Sequence, residues 1–305
     1  MRILVVGNPR ATAMSARERD VLAHALGGAD ELQIEETANR GHAAALACRA
    51  MRSQVDVVVA LGGDGTVNEI VNGLLTDGVH DRIPALGIVP AGSTNVFARA
   101  LGLPNDPIEA TGALLEALRA GRRRRVSVGR LDERWFVFAA GVGFDAAVIA
   151  GVERLRQKGR KSTIGLYTRV ALREFFRADR RRPQLHIDLP DGTVIDDVYM
   201  AVVANADPWT YVGQRPLRPT PEASLDGGLE LYARTRMGVL SASLSMVSMA
   251  RRRPRAGIGS SVTHDLPGLV IRADSAVPIQ VDGDLLGDRE KIHFRRVLEA
   301  ISVIA

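Results

Sequence analysis

The stretch Leu61-Gly62-Gly63-Asp64-Gly65-Thr66-Val67-Asn68-Glu69 constrains the fold of this 305-residue chain more than any other. It follows an apolar run, Val55–Ala60, and opens a segment where Val67, Ile70, Val71 and Leu74 fall at i, i+3, i+4 and i+7. A strand, a glycine-rich turn and an amphipathic helix in that order make half of a βαβ unit, so the sheet around them is expected to be mostly parallel. Glycines there let the backbone turn tightly and bring its N–H groups close to an anion, and the helix N-terminus adds a field that favours phosphate. Thr66 stands where a helix cap is useful. The spacing is neither that of a P-loop, since no Lys-Ser/Thr follows, nor that of the dinucleotide G-x-G-x-x-G. An ordinary glycine-rich turn is the competing reading. An acid inside the glycine run counts against it, because such an acid needs a metal or hydrogen-bond donors.

A second loop of the same kind, Val89-Pro90-Ala91-Gly92-Ser93-Thr94-Asn95, follows the next apolar run, Ala85–Val89. Adjacent parallel strands end on one side of a sheet, so both loops are expected to line one crevice.

The remaining elements of the first third extend the alternation. Strands are expected at Ile3–Val6 and Glu31–Glu35, and helices at Ser15–Leu26, Gly41–Ser53, Thr66–Leu75, Asn95–Leu101 and Pro107–Ala120. After Gly121 the rhythm changes. A basic run, Arg122–Arg125, leads into segments with strand character, and one helical insert at 161–176 interrupts them. Further strands are expected at Gln184–Leu189, Val194–Ala204, Gly228–Ala233, Gly268–Ala273, Pro278–Val281 and Lys291–Arg295. This predicts an α/β domain over residues 1–125 and a β-sandwich domain over 126–295. Residues 296–305 form an edge strand or return to the first domain.

Aromatics make up only 4% of the chain against 46% hydrophobic residues, so Ala, Val, Leu and Ile must fill both cores. The formal charge of +5 is carried almost wholly by arginine, with Lys158, Lys161 and Lys291 the only lysines. Such a surface attracts anionic partners. Arg251, Arg252, Arg253 and Arg255, like Arg180–Arg182, form either a solvated face or a patch for anionic lipid head groups. No nucleic-acid-binding motif accompanies them. Cys48 is the single cysteine, which excludes an intramolecular disulfide. The six histidines show no metal-ligand spacing. The N-terminus reads as a strand rather than a signal segment, and no apolar run approaches the roughly 18 residues of a membrane span. The expectation is a cytoplasmic protein whose membrane contact, if any, is peripheral at the inner face. A homodimer is compatible with the sequence.

Taken together, these motifs resemble the diacylglycerol kinase catalytic-domain family, which includes bacterial lipid kinases and sphingosine kinases. Residues 62–69 match its GGDGTxNE signature, and Pro90 to Pro104 its second signature. Asn8-Pro9, with Ala11-Thr12 in place of the usual Ser-Gly, resembles the opening nucleotide loop, and Thr37 the nucleotide-contacting threonine. Gly141-Val142-Gly143-Phe144-Asp145-Ala146, Leu225-Asp226-Gly227-Gly228 and Val281-Asp282-Gly283-Asp284 resemble the later motifs. The resemblance implies an α/β nucleotide domain with ATP held between it and a β-sandwich that takes the lipid. The implied nucleotide-binding residues are Asn8, Thr37, Gly62, Gly63, Asp64, Gly65, Thr66, Asn68, Glu69, Gly92, Ser93, Thr94 and Asn95. Asp284 is implied as the general base, with Asp282 beside it and Asp64 completing the catalytic acids, and Asp226 as a ligand for Mg²⁺. Phosphoryl transfer asks for little else: alignment, neutralised phosphates and a carboxylate to take the hydroxyl proton.

Three positions depart from the family pattern by losing an acid: Ser127, Val96 and Gly227. They motivate a nucleotide- or lipid-binding protein without catalysis as one alternative to an ATP-dependent kinase of a diacylglycerol-like or sphingoid lipid. An NAD kinase, which shares the Gly-Gly-Asp-Gly turn, is the other. Asn68-Glu69, placed one residue after Thr66, disfavours it. Asp145 lines the cleft or caps a turn, and Trp209-Thr210-Tyr211 rims a lipid entrance or packs a loop.

Overall fold

A computed structural model describes residues 1–9, 31–160, 163–177, 184–251, 257 and 259–305. The helix expected at Ser15–Leu26, the pair Ala11-Thr12, the run Arg180–Arg182 and Arg252, Arg253 and Arg255 lie outside the described residues. The chain forms two compact units, Met1–Val128 with Val297–Ala305, and Gly129–Arg296.

The first unit is built on four parallel strands, β1 (Arg2–Gly7), β2 (Glu31–Glu36), β3 (Val57–Gly62) and β4 (Ala85–Pro90), in the order β4-β3-β1-β2. Helix α1 (His42–Arg52) precedes β3, and α2 (Asp64–Leu74) follows it. The short α3 (Val96–Ala100) and α4 (Pro107–Arg119) follow β4. β1, β3 and β4 are apolar at nearly every position because both faces of this sheet are covered. Ile3, Val5, Val57, Val59 and Leu61 form one core with Leu114 and Ala117 of α4. Leu4, Val6, Val58 and Ala60 alternate to the opposite face and are equally buried. α4 starts where its sequence directs: the Asp106 carboxylate accepts from the N–H groups of Ile108 and Glu109, with Pro107 at the first helical position. The chain leaves β1 toward β2 on one side and returns to β3 on the other. The strand order therefore reverses between β1 and β3, and the crevice outside their C-terminal ends is where open α/β sheets take ligands.

β5 (Arg124–Leu131) contains the expected boundary at residue 125 and continues into the second unit. There follow β6 (Arg134–Phe136), β7 (Ala139–Gly143), helices α5 (Phe144–Gln157) and α6 (Ile164–Arg177), β8 (Leu185–Asp188), β9 (Val194–Val198) and β10 (Met200–Ala204). Next come the small ribbon β11 (Thr210–Val212) and β12 (Arg215–Leu217), β13 (Leu229–Arg234), α7 (Val239–Met249), β14 (Ser260–Leu266), β15 (Gly268–Val281) and β16 (Asp284–Val303). β14, β13, β10 and β7 pair antiparallel, and β7 pairs the far end of β15. The near end of β15 pairs β8, which pairs β9. A register shift between Arg272 and Val277 lets this one long strand serve both sets. Their inward faces share a core of Phe136, Val142, Ile187, Val203, Leu231, Ile271, Ile279 and Phe294, which is the sandwich arrangement expected.

Several elements differ from expectation. Val194–Ala204 is two strands rather than one, divided at Tyr199. α5, α7 and β14 stand where the sequence pattern predicts no element. The chain end returns to the first unit: Val303 pairs Leu86, the Ile304 N–H donates to the Leu86 carbonyl, and Ile304 joins the core beneath α4.

Candidate active site

The parallel sheet delivers both glycine turns to the same edge, and they meet there backbone to backbone. A Cβ placed on Gly92 would lie 2.6 Å from the Gly63 Cα, and one on Gly63 would lie 3.0 Å from the Gly92 Cα. Only glycine fits such an approach. Gly62 is closed off separately, because Thr66 lies over it: a Cβ there would stand 2.6 Å from the Thr66 Oγ1. Thr66 is therefore a packing residue within the first turn of α2, and the expected capping position belongs to Gly63. Asn8 and Thr37 sit at the same edge. The Asn8 N–H donates to the Leu61 carbonyl (3.0 Å) and the Thr37 N–H to the Gly7 carbonyl (2.8 Å).

The polar side chains of the signature turn inward rather than out. Both carboxylate oxygens of Asp64 accept backbone N–H groups of the second loop's helix, Val96 at 3.0 Å and Phe97 at 3.1 Å. Burial raises the Asp64 pKa, while the amides that reach it pull the other way. Glu69 does the same for α1, accepting from Gly41 (2.8 Å) and Ala43 (3.1 Å). Asn95, in the left-handed region, accepts from the Gly92 N–H and donates to the Gly92 carbonyl and to Asn105 Oδ1. Asn68 is buried and receives the Asn72 amide. Each of these residues fixes a neighbouring element. What the turn leaves outward is main chain: α2 has no side-chain cap, so its first N–H groups, from Gly63 to Gly65, point at the edge. The exposed Ser93 and half-buried Thr94 hydroxyls stand in the facing loop, 3.4 Å from each other. A bare helix N-terminus flanked by hydroxyls suits an oxyanion of phosphate.

In the second unit, Asp282 and Gly283 form the two-residue turn between β15 and β16, both with positive φ (49° and 83°), and Val281 pairs Asp284 across it. Asp-Gly is the usual chemistry of such a type I′ hairpin. The Asp282 carboxylate is buried and accepts three N–H groups, from Val137, Phe138 and Ala139 (2.8–3.1 Å). This carboxylate is engaged as a brace for the strand entering β7. Asp284 stands half-buried at the first position of β16. The turn has a second support that sequence does not reveal. Gln280 accepts from the Gly283 N–H (2.8 Å) and donates to Asp145 (2.8 Å), a buried carboxyl in the first turn of α5. Burial pushes Asp145 up to about 6 against the pull of Gln280. Gly141 leaves the room this carboxyl needs, since a Cβ there would overlap it. Asp145 thus caps a turn through Gln280. Trp209, Thr210 and Tyr211 lie half-buried at the β11 ribbon.

The residues around Asp226 do not fit a Mg²⁺ site. Among the described residues no three His, Cys, Asp or Glu side chains group as a metal site. The nearby charge acting with Asp226 is the buried Arg296 guanidinium, whose pKa burial lowers to about 10 while Asp226 and Asp265 raise it. A dication there would face that guanidinium. Among the described residues no helix is long and apolar enough to cross a membrane.

Residues 2–131 match the family model of the diacylglycerol kinase catalytic domain. A Chromohalobacter salexigens protein named "Probable lipid kinase YegS-like" is 31% identical over 258 residues, covering 83% of this chain and 77% of that protein. The chain belongs to the diacylglycerol kinase catalytic-domain family, a family of lipid kinases. A Staphylococcus saprophyticus diacylglycerol kinase is 37% identical over 113 residues, 37% of this chain and 35% of that protein. A crystal structure of a diacylglycerol kinase from Bacillus anthracis str. Sterne superposes with a TM-score of 0.72 at 19% identity, covering 99% of this chain and 96% of that one. At that identity the likeness speaks for the fold alone. Within the family frame, the positions that lack an acid have structural occupants. Val96 is buried and gives its N–H to Asp64, and the buried Ser127 hydroxyl accepts from Glu299 N (3.2 Å).

Proposed function

We propose that this lipid kinase transfers the terminal phosphoryl group of ATP to a hydroxyl of a diacylglycerol-like or sphingoid lipid. The observation that carries the reading is the backbone contact of Gly63 with Gly92 beside the uncapped start of α2. It concentrates main-chain N–H groups and two hydroxyls where a polyphosphate can dock, at the reversal point of the sheet. In this reading Gly63, Asp64 and Gly65 N–H groups and the Ser93 and Thr94 hydroxyls hold phosphate oxygens, with Asn8 and Thr37 along the same edge. The lipid hydroxyl attacks the terminal phosphorus, the bond to the departing ADP oxygen breaks, and the hydroxyl proton passes to the Asp284 carboxylate. Asp64, Glu69, Asn95 and Asp282 act by holding the frame. Mg²⁺ bound to the nucleotide phosphates would neutralise their charge.

The test is incubation with labelled ATP, Mg²⁺ and a mixed lipid extract, with NAD in a parallel tube, followed by identification of the labelled product. A phosphorylated lipid is expected. Label in NADP would turn the reading to an NAD kinase, and nucleotide binding with no labelled product would turn it to a binding protein. Asp284→Asn is expected to lower kcat strongly with nucleotide affinity unchanged; an unchanged kcat removes Asp284 as the base.

A further inference from the structure

Helix α7 is built inside out. Its sequence, VLSASLSMVSM, contains no charged residue. Ser241, Ser245 and Ser248 fall at i, i+4 and i+7, and so do Leu240, Leu244 and Val247. An ordinary surface helix turns its apolar stripe to the core. Here Ser245 is buried, while Leu240 is 74% exposed, Leu244 54% and Val247 57%. The cause is Arg234 at the end of β13. Its buried guanidinium donates to Ser245 Oγ (2.6 Å), Ser241 Oγ (3.1 Å) and the Tyr232 hydroxyl (3.3 Å). Rotating the helix to bury its leucines would strip a buried charge of its partners, a cost of about 3–5 kcal/mol that offsets what the leucines would return. The outward apolar face is therefore fixed by the fold.

What covers it can be argued from charge. Exposed arginines stand at both ends of the helix, Arg236 before it and Arg251 after it, and the helix holds no acid. In sequence Arg252, Arg253 and Arg255 follow. A second copy of this face would bring the same cations together with no acid to meet them, which opposes self-association. An apolar strip bordered by cations matches the boundary of a bilayer with anionic head groups. We propose that α7 is an interfacial helix that lays Leu240, Leu244 and Val247 into an anionic lipid surface and holds the chain where its substrate resides. The choice of a lipid surface rests on the lipid-kinase reading.

The experiment is flotation with phosphatidylcholine vesicles, with and without phosphatidylglycerol, for the whole chain, Leu240→Ser/Leu244→Ser and Arg251→Glu. The double variant is expected to bind about tenfold more weakly or worse. Arg251→Glu should lose affinity only for the anionic vesicles, and high salt should erase that difference. Activity on dispersed dioctanoylglycerol should survive both substitutions, whereas activity on long-chain diacylglycerol in vesicles should fall. Full vesicle binding by the double variant overturns the proposal. So does a wild-type dimer, seen by sedimentation, that the double variant splits without any change in vesicle binding. A chain that docks through α7 yet phosphorylates neither lipid supports the docking face and removes diacylglycerol as the acceptor instead.

Discussion

Asp64 separates a structural from a purely chemical reading of the signature, and its replacement by alanine measures the difference. The carboxylate takes the Val96 and Phe97 N–H groups at 3.0 and 3.1 Å, and α3 has no other side-chain cap, since the Asn95 amide is spent on Gly92 and Asn105. Two N–H bonds to a carboxylate contribute about 3–5 kcal/mol gross. Burial of the charge outweighs the amides in its effect on the Asp64 pKa, but alanine leaves both N–H groups without an acceptor, which costs about 1–3 kcal/mol each. A net loss of about 2–3 kcal/mol remains, close to the upper range for a helix cap. For a unit of this size that corresponds to roughly 5–10 °C in the unfolding midpoint. Asp64→Asn keeps one acceptor but turns an NH₂ toward the other amide, so it should rescue little. Thermal unfolding reports the shift, and hydrogen exchange at Val96 and Phe97 locates it. Asp64→Ala that abolishes phosphoryl transfer with an unfolding midpoint within about 1 °C of wild type would refute this account.

Asp282→Ala should strand three buried N–H groups and lower stability by about 3 kcal/mol or more, read by urea unfolding; a smaller loss than a surface substitution gives would remove the brace. Asp145, with a folded pKa of about 6 against an ordinary 3.8, holds its proton more tightly when folded. Its contribution is therefore present below about pH 4 and is lost as pH rises through 6, amounting to about 3 kcal/mol. Asp145→Asn should raise stability at pH 7.5 and flatten the profile between pH 4 and 6; an unaltered profile contradicts the buried carboxyl. Gly112 lies in α4, and a Cβ added to it would meet nothing within 4 Å. Gly112→Ala should therefore stabilise by about 0.5–1 kcal/mol in the same melts, and a loss would place a contact there.

The parallel sheet was legible because β1, β3 and β4 are short, almost continuously apolar and, after β3 and β4, punctuated by Gly-Gly and Pro-Ala-Gly, patterns that local physics alone produces. The meeting of Gly63 with Gly92 also followed from strand order. The partners of the acids were not legible. Asp64 reaches residues 32 and 33 positions away, and Asp282 reaches strands 143 to 145 positions earlier. No linear pattern distinguishes a carboxylate that caps a distant amide from one that waits for a metal. α5 starts at Gly143 with no side-chain cap to announce it. α7 is hidden for another reason: its periodicity is helical, but serines occupy the face that burial normally assigns to leucine, and only Arg234 explains them.

The inward turn of Asp64, Glu69 and Asn95 changes where specificity can reside in this lipid kinase. Three polar side chains of these adjacent turns are committed to α3, α1 and the loop itself, so on the proposed reading the phosphates would meet mostly main chain, which reads phosphate without reading the base. Main-chain donors also cannot be tuned by single side-chain substitutions; they move only when the frame moves. On the same reading, discrimination among nucleotides falls to residues further along the β1 and β2 edge, near Asn8 and Thr37. On the proposed reading, discrimination among lipids falls to the second unit, where Gln280 and Asp145 support the Asp282–Gly283 turn beside Asp284. A chain organised this way can change its lipid without altering its phosphate turn.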